Sequence, residues 1–305
     1  MNKNLNGYSA PIILFAYKRV DALIKTIQAL QQNQFASEST LHVFVDGPKG
    51  LADNQKVDKV KRLIDQLTGF GQVERHYSSV NQGLANSVIK GVSQVLDVYE
   101  SAIILEDDLI TAPNFLSYMN ACLQTYRSSQ NVSSVSGYTF PFAKPTGYPY
   151  DAYFFPRYSS WGWATWANRW QQVDWTMSDY EEFLQDKKAQ EKFSAGGSDL
   201  LRMLQRQMNG ELDSWAIRWG YHQAMHNAYT VYPVNSKVDN IGFDQDATHT
   251  NVFNRYKTSL AHQESAPFHL PDSIQENPYY STMFRRKYSI ETRVFNRLKT
   301  YMGLR

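Results

Sequence analysis

Two hydrophobic periods alternate along the first half of the chain, and that alternation restricts it to very few architectures. Residues 11–17 (PIILFAY) are a nearly continuous apolar run of the kind that fills a strand covered on both faces, and Val20, Leu23, Ile24, Ile27 and Leu30 then recur at helical spacing. The unit repeats. Residues 41–47 (LHVFVDG) precede the stripe Val57, Val60, Leu63, Ile64 and Leu67. Residues 73–78 (VERHYS), a weaker strand, precede Leu84, Val88, Val92, Val95 and Tyr99, and residues 102–107 (AIILED) precede Leu116, Met119, Leu123 and Tyr126. Strand then helix, repeated in this way, predicts βα units around a largely parallel sheet. In such sheets ligands bind beyond the carboxyl ends of the strands, where strand ends, loops and helix N-termini converge. Three polar clusters fall there: Lys18 and Arg19 after the first strand, Asp46 after the second, and Glu106, Asp107 and Asp108 after the fourth.

After residue 130 the pattern becomes aromatic and irregular, reading as strands and loops. Helices resume at Ser178, where Ser178 and Glu181 predict a capping box, and again over residues 198–209, closed by Gly210. Residues 212–227 (LDSWAIRWGYHQAMHN) predict another helix, residues 230–234 (TVYPV) a strand, and residues 240–250 (NIGFDQDATHT) a loop. With no repeat, low-complexity tract or linker, the expectation is one domain over residues 1–305. Residues 1–130 form one half, 131–265 a lobe built onto it, and 266–305 a basic tail.

Charge narrows the function classes. Lys and Arg number 31 against 29 Asp and Glu, so no global field favours nucleic acid, and any charge-driven recognition has to be local. Cys122, the single cysteine, rules out an internal disulfide framework, fits a reducing compartment and reads as a small core residue. The N-terminal apolar run is short, ends in Lys18 and Arg19 and lacks a cleavage site of small residues, and no stretch is long enough to span a bilayer. The expected location is the cytoplasm. Toward the end, Arg285, Arg286, Lys287, Arg293, Arg297, Lys299 and Arg305 stand against Glu291, with Val294, Leu298 and Tyr301 on one helical side. An ordinary solvated end helix has this pattern, as does an interfacial helix peripheral to the inner face of a membrane with anionic lipid.

The acidic triplet poses the chemical question. Adjacent carboxylates repel, and water or a cation has to offset their field. One reading is that Asp107 and Asp108 cap the helix that follows. The other is a divalent ion carrying a diphosphate, since Mg²⁺ and Mn²⁺ take oxygen ligands and often use one or two carboxylates with phosphates completing the shell. Placement at the ligand-binding edge of the sheet favours the ion.

Residues 103–119 (IILEDDLITAPNFLSYM) also resemble the acidic DxD-type motif of GT-A glycosyltransferases, in the EDD form of the N-acetylglucosaminyltransferase I family and related bacterial sugar transferases. Residues 10–30 (APIILFAYKRVDALIKTIQAL) are similar to that family's first βα unit, residues 43–47 (VFVDG) to its second strand, and residues 78–92 (SSVNQGLANSVIKGV) to its next helix. Residues 159–170 (SSWGWATWANRW), 211–219 (ELDSWAIRW) and 240–250 resemble the second half of bacterial members, so the likeness runs over roughly residues 10–250.

The resemblance implies an α/β chain of the GT-A, Rossmann-like nucleotide-sugar-binding fold, with a mostly parallel central sheet and an appended acceptor-side lobe. It implies a metal-dependent hexosyl- or N-acetylhexosaminyltransferase with Mn²⁺ or Mg²⁺. The sugar of a nucleotide-diphosphate donor, by default a UDP-sugar, would pass to a hydroxyl of a glycan or lipid-linked glycan, in bacterial surface polysaccharide synthesis. Asp108 would bind the metal, Glu106 and Asp107 the donor's sugar or the metal, Asp46 the base, and Arg19 the nucleotide or its phosphates. Transfer to a hydroxyl needs a base on the acceptor side. Asp213, in an element like the family's D-x-W and expected also to cap the following helix, takes that role in an inverting mechanism. Many relatives have a second acid where this chain has Ser214, so Glu211 stays as the alternative base.

His249 would complete the metal shell, with Asp244 and Asp246 as equivalents nearby. Trp161 or Trp163 would wall the sugar pocket. His222 and His226 have the i, i+4 spacing of a zinc pair, but Gln223 stands where HExxH needs its glutamate, and they read as structural. Two other functions remain. A metal-dependent phosphoesterase lacks further Asp/His pairs at the strand ends. A non-catalytic nucleotide or carbohydrate binder accounts for the aromatic residues but not for Asp213.

Overall fold

The computed structural model describes residues 9–243, 254, 256–260 and 267–302. The first half runs β1 (Ile12–Ala16), α1 (Val20–Gln31), β2 (Thr40–Val45), α2 (Leu51–Asp65), β3 (Gln72–Tyr77), α3 (Leu84–Leu96), β4 (Ser101–Glu106), β5 (Leu109–Thr111) and α4 (Phe115–Thr125). The second half begins with β6 (Val132–Ser136), β7 (Ala152–Phe155), β8 (Trp163–Trp166) and α5 (Ala167–Trp170). It continues through α6 (Tyr180–Gln185), α7 (Lys187–Ser194), α8 (Leu200–Met208), α9 (Trp215–Met225), β9 (Tyr229–Pro233), β10 (Val238–Asn240), α10 (Pro278–Lys287) and α11 (Ile290–Tyr301).

Eight strands make one sheet in the order β3-β2-β1-β4-β8-β6-β9-β7. The first four are parallel, as the repeated βα pattern predicts, and β8 then pairs antiparallel with both β4 and β6. Strand β9 runs parallel to β6, and β7 closes the far edge antiparallel to β9. The protein is therefore α/β with a large, mostly parallel mixed sheet.

Burial explains the apolar runs. Side chains alternate across a strand, and in β1 the set Ile12, Leu14 and Ala16 packs with α1, α2 and α4 through Leu23, Val60 and Met119. The alternate set, Ile13 and Phe15, packs on the opposite face with α3 and α9 through Val88, Val92 and Trp219. A strand covered on both sides has no solvent face, so it shows no polar alternation. β3, at the sheet edge, is largely exposed and is the strand whose sequence signal is weakest. Cys122 is fully buried in the first of these clusters, and burial pushes its thiol up to about 12.

Two caps depart from the sequence reading. Ser178 donates its hydroxyl to Asp174 and its N–H to the same carboxylate, so it builds a turn around Asp174 and forms no capping box with Glu181. At α9 the N-cap is Ser214, whose hydroxyl accepts from the Ile217 N–H at 3.3 Å, and Asp213 lies one residue outside the helix. Among the described residues, no helix is long and apolar enough to cross a membrane.

Candidate active site

Because β1 and β4 are paired neighbours, with Phe15 opposite Glu106, the chain leaves both strands side by side. Arg19, at the N-cap of α1, donates through one Nη2 to Asp107 and, at 2.9 Å, to Asp108. The Tyr17 N–H adds a 3.3 Å bond to the other Asp107 oxygen, and the Thr26 hydroxyl donates to the Asp107 carbonyl at 3.0 Å. The two aspartate side chains are nearly buried, at 6% and 11% exposure. They do not cap a helix. β5 separates them from α4, whose N-cap residue is Asn114, so the capping account of the triplet does not hold.

One guanidinium faces three carboxylates. Burial, followed by the charges of Asp108 and Asp107, pushes Glu106 up to about 8 despite the opposing field of Arg19. Burial likewise raises Asp107 to about 6, with Arg19 pulling it down and Asp108 pushing it up. Burial alone would lower Arg19, but the two aspartates outweigh it and hold it above its ordinary value. The corner thus sets buried acids that resist ionisation against the Arg19 guanidinium. Among the described residues no three of His, Cys, Asp and Glu converge as a ready cage. A divalent ion at this corner would have the Asp107 and Asp108 oxygens as protein ligands and would take its remaining ligands from phosphate oxygens and water.

The second half supplies the other wall. β10 pairs antiparallel with β5, placing Asn240 opposite Leu109, and the Ile241 N–H donates to the Asp108 carbonyl at 2.9 Å. Gly242 then presses its backbone against the Asp108 carboxylate so closely that a β-carbon there would overlap it. Nothing local in the sequence identifies Gly242 as a site residue, because its role comes from a pairing about 130 residues away in the chain.

Asp46 is positioned differently from its expected role. One carboxylate oxygen accepts from the N–H groups of Gly47 (2.8 Å) and Gln82 (2.9 Å), the other from the Asn81 side-chain amide (2.9 Å) and the Gly83 N–H (3.0 Å). With the four lone-pair positions of a carboxylate engaged, Asp46 holds the Asn81–Gly83 loop ahead of α3 and has no acceptor left for a base. On the neighbouring rim Asp53 accepts from Lys18 at 2.8 Å and from the Tyr17 hydroxyl at 2.7 Å.

Beyond the cluster lies a cavity of about 230 Å³, walled by Tyr138, Tyr158, Trp161, Ile217 and Tyr256 and ended by Arg157. Two of its walls lead back to the carboxylates. Trp161 packs edge-on against Phe243, next to Gly242, at 5.8 Å. Tyr158, whose buried hydroxyl has no hydrogen-bond partner among the described residues, is pushed up by burial and then by the Glu106 charge. Arg157 makes a two-pronged pair with Asp199 at 2.8 and 2.9 Å and lies 3.6 Å over the Tyr288 ring.

Of the two tryptophans expected at a sugar wall, Trp161 lines this cavity. Trp163 does not: it is buried among Trp170, Trp215 and Trp219, with its ring 4.9 Å from Trp215, because its strand turns it toward α9. The Asp213 side chain is 63% exposed, 3.4 Å from Arg218, in the loop that enters α9 beside Trp215. Trp215 in turn touches Tyr158 edge-on at 5.4 Å, so the α9 entrance adjoins the cavity. Glu211 pairs at 3.4 Å with Arg206, on the exposed end of α8. His222 and His226 stack at 4.1 Å, and burial, followed by His226, lowers His222 to about 4, consistent with a structural pair. His249, Asp244 and Asp246 lie outside the described residues.

No family model and no curated protein matches the sequence. Among solved structures the chain is similar to residues 1–349 of S. aureus TarS, at 10% identity and a TM-score of 0.41, over 76% of this chain and 59% of that one. It is also similar to the mannosyltransferase PcManGT from Pyrobaculum calidifontis in complex with GDP-Man and Mn²⁺, at 11% and 0.34, over 54% of this chain and 48% of that one. An active-site mutant of LgtC matches at 12% and 0.35, over 57% and 64%. The chain thus spans less than two thirds of the length of each. Overlap of this extent assigns neither reaction nor substrate.

Proposed function

We propose that the protein is a metal-dependent glycosyltransferase that moves a sugar from a nucleotide-diphosphate donor to a hydroxyl of a glycan or lipid-linked glycan. The observation that supports this reading is the set of three acidic side chains at the carboxyl edge of the sheet, where Arg19 pairs with Asp107 and Asp108, linked through Trp161 and Tyr158 to an aromatic cavity nearby. Asp108 and Asp107 would hold Mn²⁺ or Mg²⁺, which when bound offsets the charge that develops on a departing diphosphate. Arg19 is placed to exchange part of its pairing with these aspartates for a phosphate oxygen, as a charge-stabilising donor in a dry corner. The EDD resemblance supports the same assignment, with a UDP-sugar as the default donor and surface polysaccharide synthesis as the setting.

The acceptor would enter through the aromatic cavity, where ring faces such as that of Trp161 suit the apolar face of a sugar. Asp213, exposed at the α9 entrance, takes the acceptor proton as the hydroxyl oxygen bonds to the anomeric carbon and the bond from that carbon to the diphosphate breaks. Attack opposite the leaving group inverts the centre and requires no covalent enzyme intermediate.

A thermal-shift panel of nucleoside diphosphates with and without Mn²⁺, followed by a donor-turnover assay, tests the reading. The expected result is stabilisation by one nucleotide only when metal is present. Turnover should be lost in Asp108→Ala and in Asp213→Asn, with Asp213→Asn still binding donor. Stabilisation by free sugar alone would favour a binding protein, and release of phosphate from simple esters would favour a phosphoesterase.

A further inference from the structure

The last helix is amphipathic and mounted inside out. α11 has no buried residue, yet Ile290, Val294, Phe295, Leu298, Tyr301 and the adjoining Met302 are exposed by 54% to 82%. These six account for nearly half of the exposed large apolar side chains among the described residues. At about 100° per residue they occupy one sector roughly 140° wide. The more shielded positions on the opposite side are all polar or charged: Thr292, Arg293, Asn296, Lys299 and Thr300. A surface helix of a soluble protein turns its apolar stripe to the core and its polar side to water. Here polar contacts fix the reverse orientation. Ser289 caps the helix by accepting from the Thr292 N–H, the Thr292 hydroxyl donates to the Arg286 carbonyl at 2.8 Å, and Arg293 donates to the Ser198 hydroxyl at 3.2 Å.

Charge selects what covers this face. Lys299 borders one edge of the apolar sector and Arg297 and Arg293 the other, and Arg286 extends the basic field at the end of α10, where Arg285 is paired with Glu276 at 2.8 Å. The one acidic residue of the helix, Glu291, falls within the angular range of this sector but at its first turn, where it is exposed and the helix dipole favours it. A second copy docking face to face would set this basic rim against its own like. A bilayer with anionic headgroups offers both an apolar interior for the stripe and negative charge for the rim. We propose that α11 is a membrane-docking helix that seats the protein on an anionic lipid surface, with Ile290, Val294, Phe295, Leu298 and Tyr301 inserted at the headgroup–acyl boundary. The proposal stands apart from the chemistry of the acidic corner, because docking requires neither donor nor metal.

The test is flotation of the 305-residue chain with vesicles of phosphatidylcholine alone or mixed with phosphatidylglycerol. Wild type should float with the anionic vesicles and stay behind with the neutral ones, and added salt should weaken the association. Phe295→Ser with Leu298→Ser should reduce binding at least about tenfold, from the apolar area withdrawn. Arg297→Gln should reduce it on the order of fivefold, the share of one charge near such a surface. Circular dichroism of the double variant should match wild type, since both positions are exposed. Failure of wild type to float, or equal flotation of the double variant, overturns the proposal. So does a concentration-dependent dimer, lost in the double variant, in a protein that ignores vesicles, since a second copy would then be the occupant.

Discussion

Gly242 determines where the Asp108 carboxylate can lie. A methyl group at this position has to displace either that carboxylate, held by Arg19, or the backbone that follows β10. Gly242→Ala is expected to keep the fold, with a thermal midpoint within a few degrees of wild type, and to weaken Mn²⁺-dependent nucleotide binding tenfold or more, read by calorimetric titration. An unchanged affinity would show that the Asp108 position does not matter to the ligand. Asp46 makes the opposite kind of prediction. Its four accepted hydrogen bonds fasten the Asn81–Gly83 loop, and hydrogen bonds to a charged group contribute about 1.5–3 kcal/mol. Asp46→Ala should therefore lower unfolding free energy by about 2 kcal/mol, seen as a lower urea midpoint at unchanged slope. A purely base-binding Asp46 would leave that midpoint where it is.

At the scale of elements, the entrance of helix α9 sets a capping residue beside the proposed base. Ser214 accepts the Ile217 N–H, whereas Asp213 reaches only Arg218 and is largely exposed. Ser214→Ala should cost about 1 kcal/mol, the usual value of a lost side-chain cap. Asp213→Asn should leave stability nearly unchanged while abolishing turnover, and thermal denaturation run beside the assay compares the two. The βα units were legible in the sequence because β1, β2 and β4 are covered on both faces and their helices turn one stripe inward, so period and burial agree. Asp213 as a cap was misread because either an Asp or a Ser suits that position, and the choice rests on one hydrogen bond. Trp163 was misread for a different reason: residues two apart in a strand would share a face, but Trp161 precedes β8 and Gly162 between them has φ +57°, so only Trp163 is fixed by the pairing with β4 and β6. The meeting of Arg19 with the acidic triplet follows from strand ends that the sequence already marks. Gly242, Tyr158 and the Arg157–Asp199 pair were not legible there, since each acquires its meaning from a distant segment of chain.

The whole molecule couples its stability to pH through buried imidazoles. Burial, followed by His226, holds His222 near 4, with Asp179 opposing, and burial also lowers His42 and His76 below the ordinary 6.5. Between 6.5 and about 4 the unfolded chain binds protons that the folded imidazoles refuse, so stability rises with pH across that window and is lost on acidification. On acidification through the window, the thermal midpoint of His222→Gln should rise relative to that of wild type. That comparison separates the imidazole from Glu106 and Asp107, whose raised values act in the opposite direction. A parallel decline in both proteins would remove His222 from the account. The strand order has a further consequence for biosynthesis. β4 lies between β1 and β8, and its free edge gains a partner only when residues 163–166 have left the ribosome. The acidic corner takes still longer, because the glycine that abuts Asp108 is translated more than 130 residues after it. A nascent chain therefore carries an open strand edge and exposed paired charges through much of its elongation, and the acidic corner closes only after most of the polypeptide has been made.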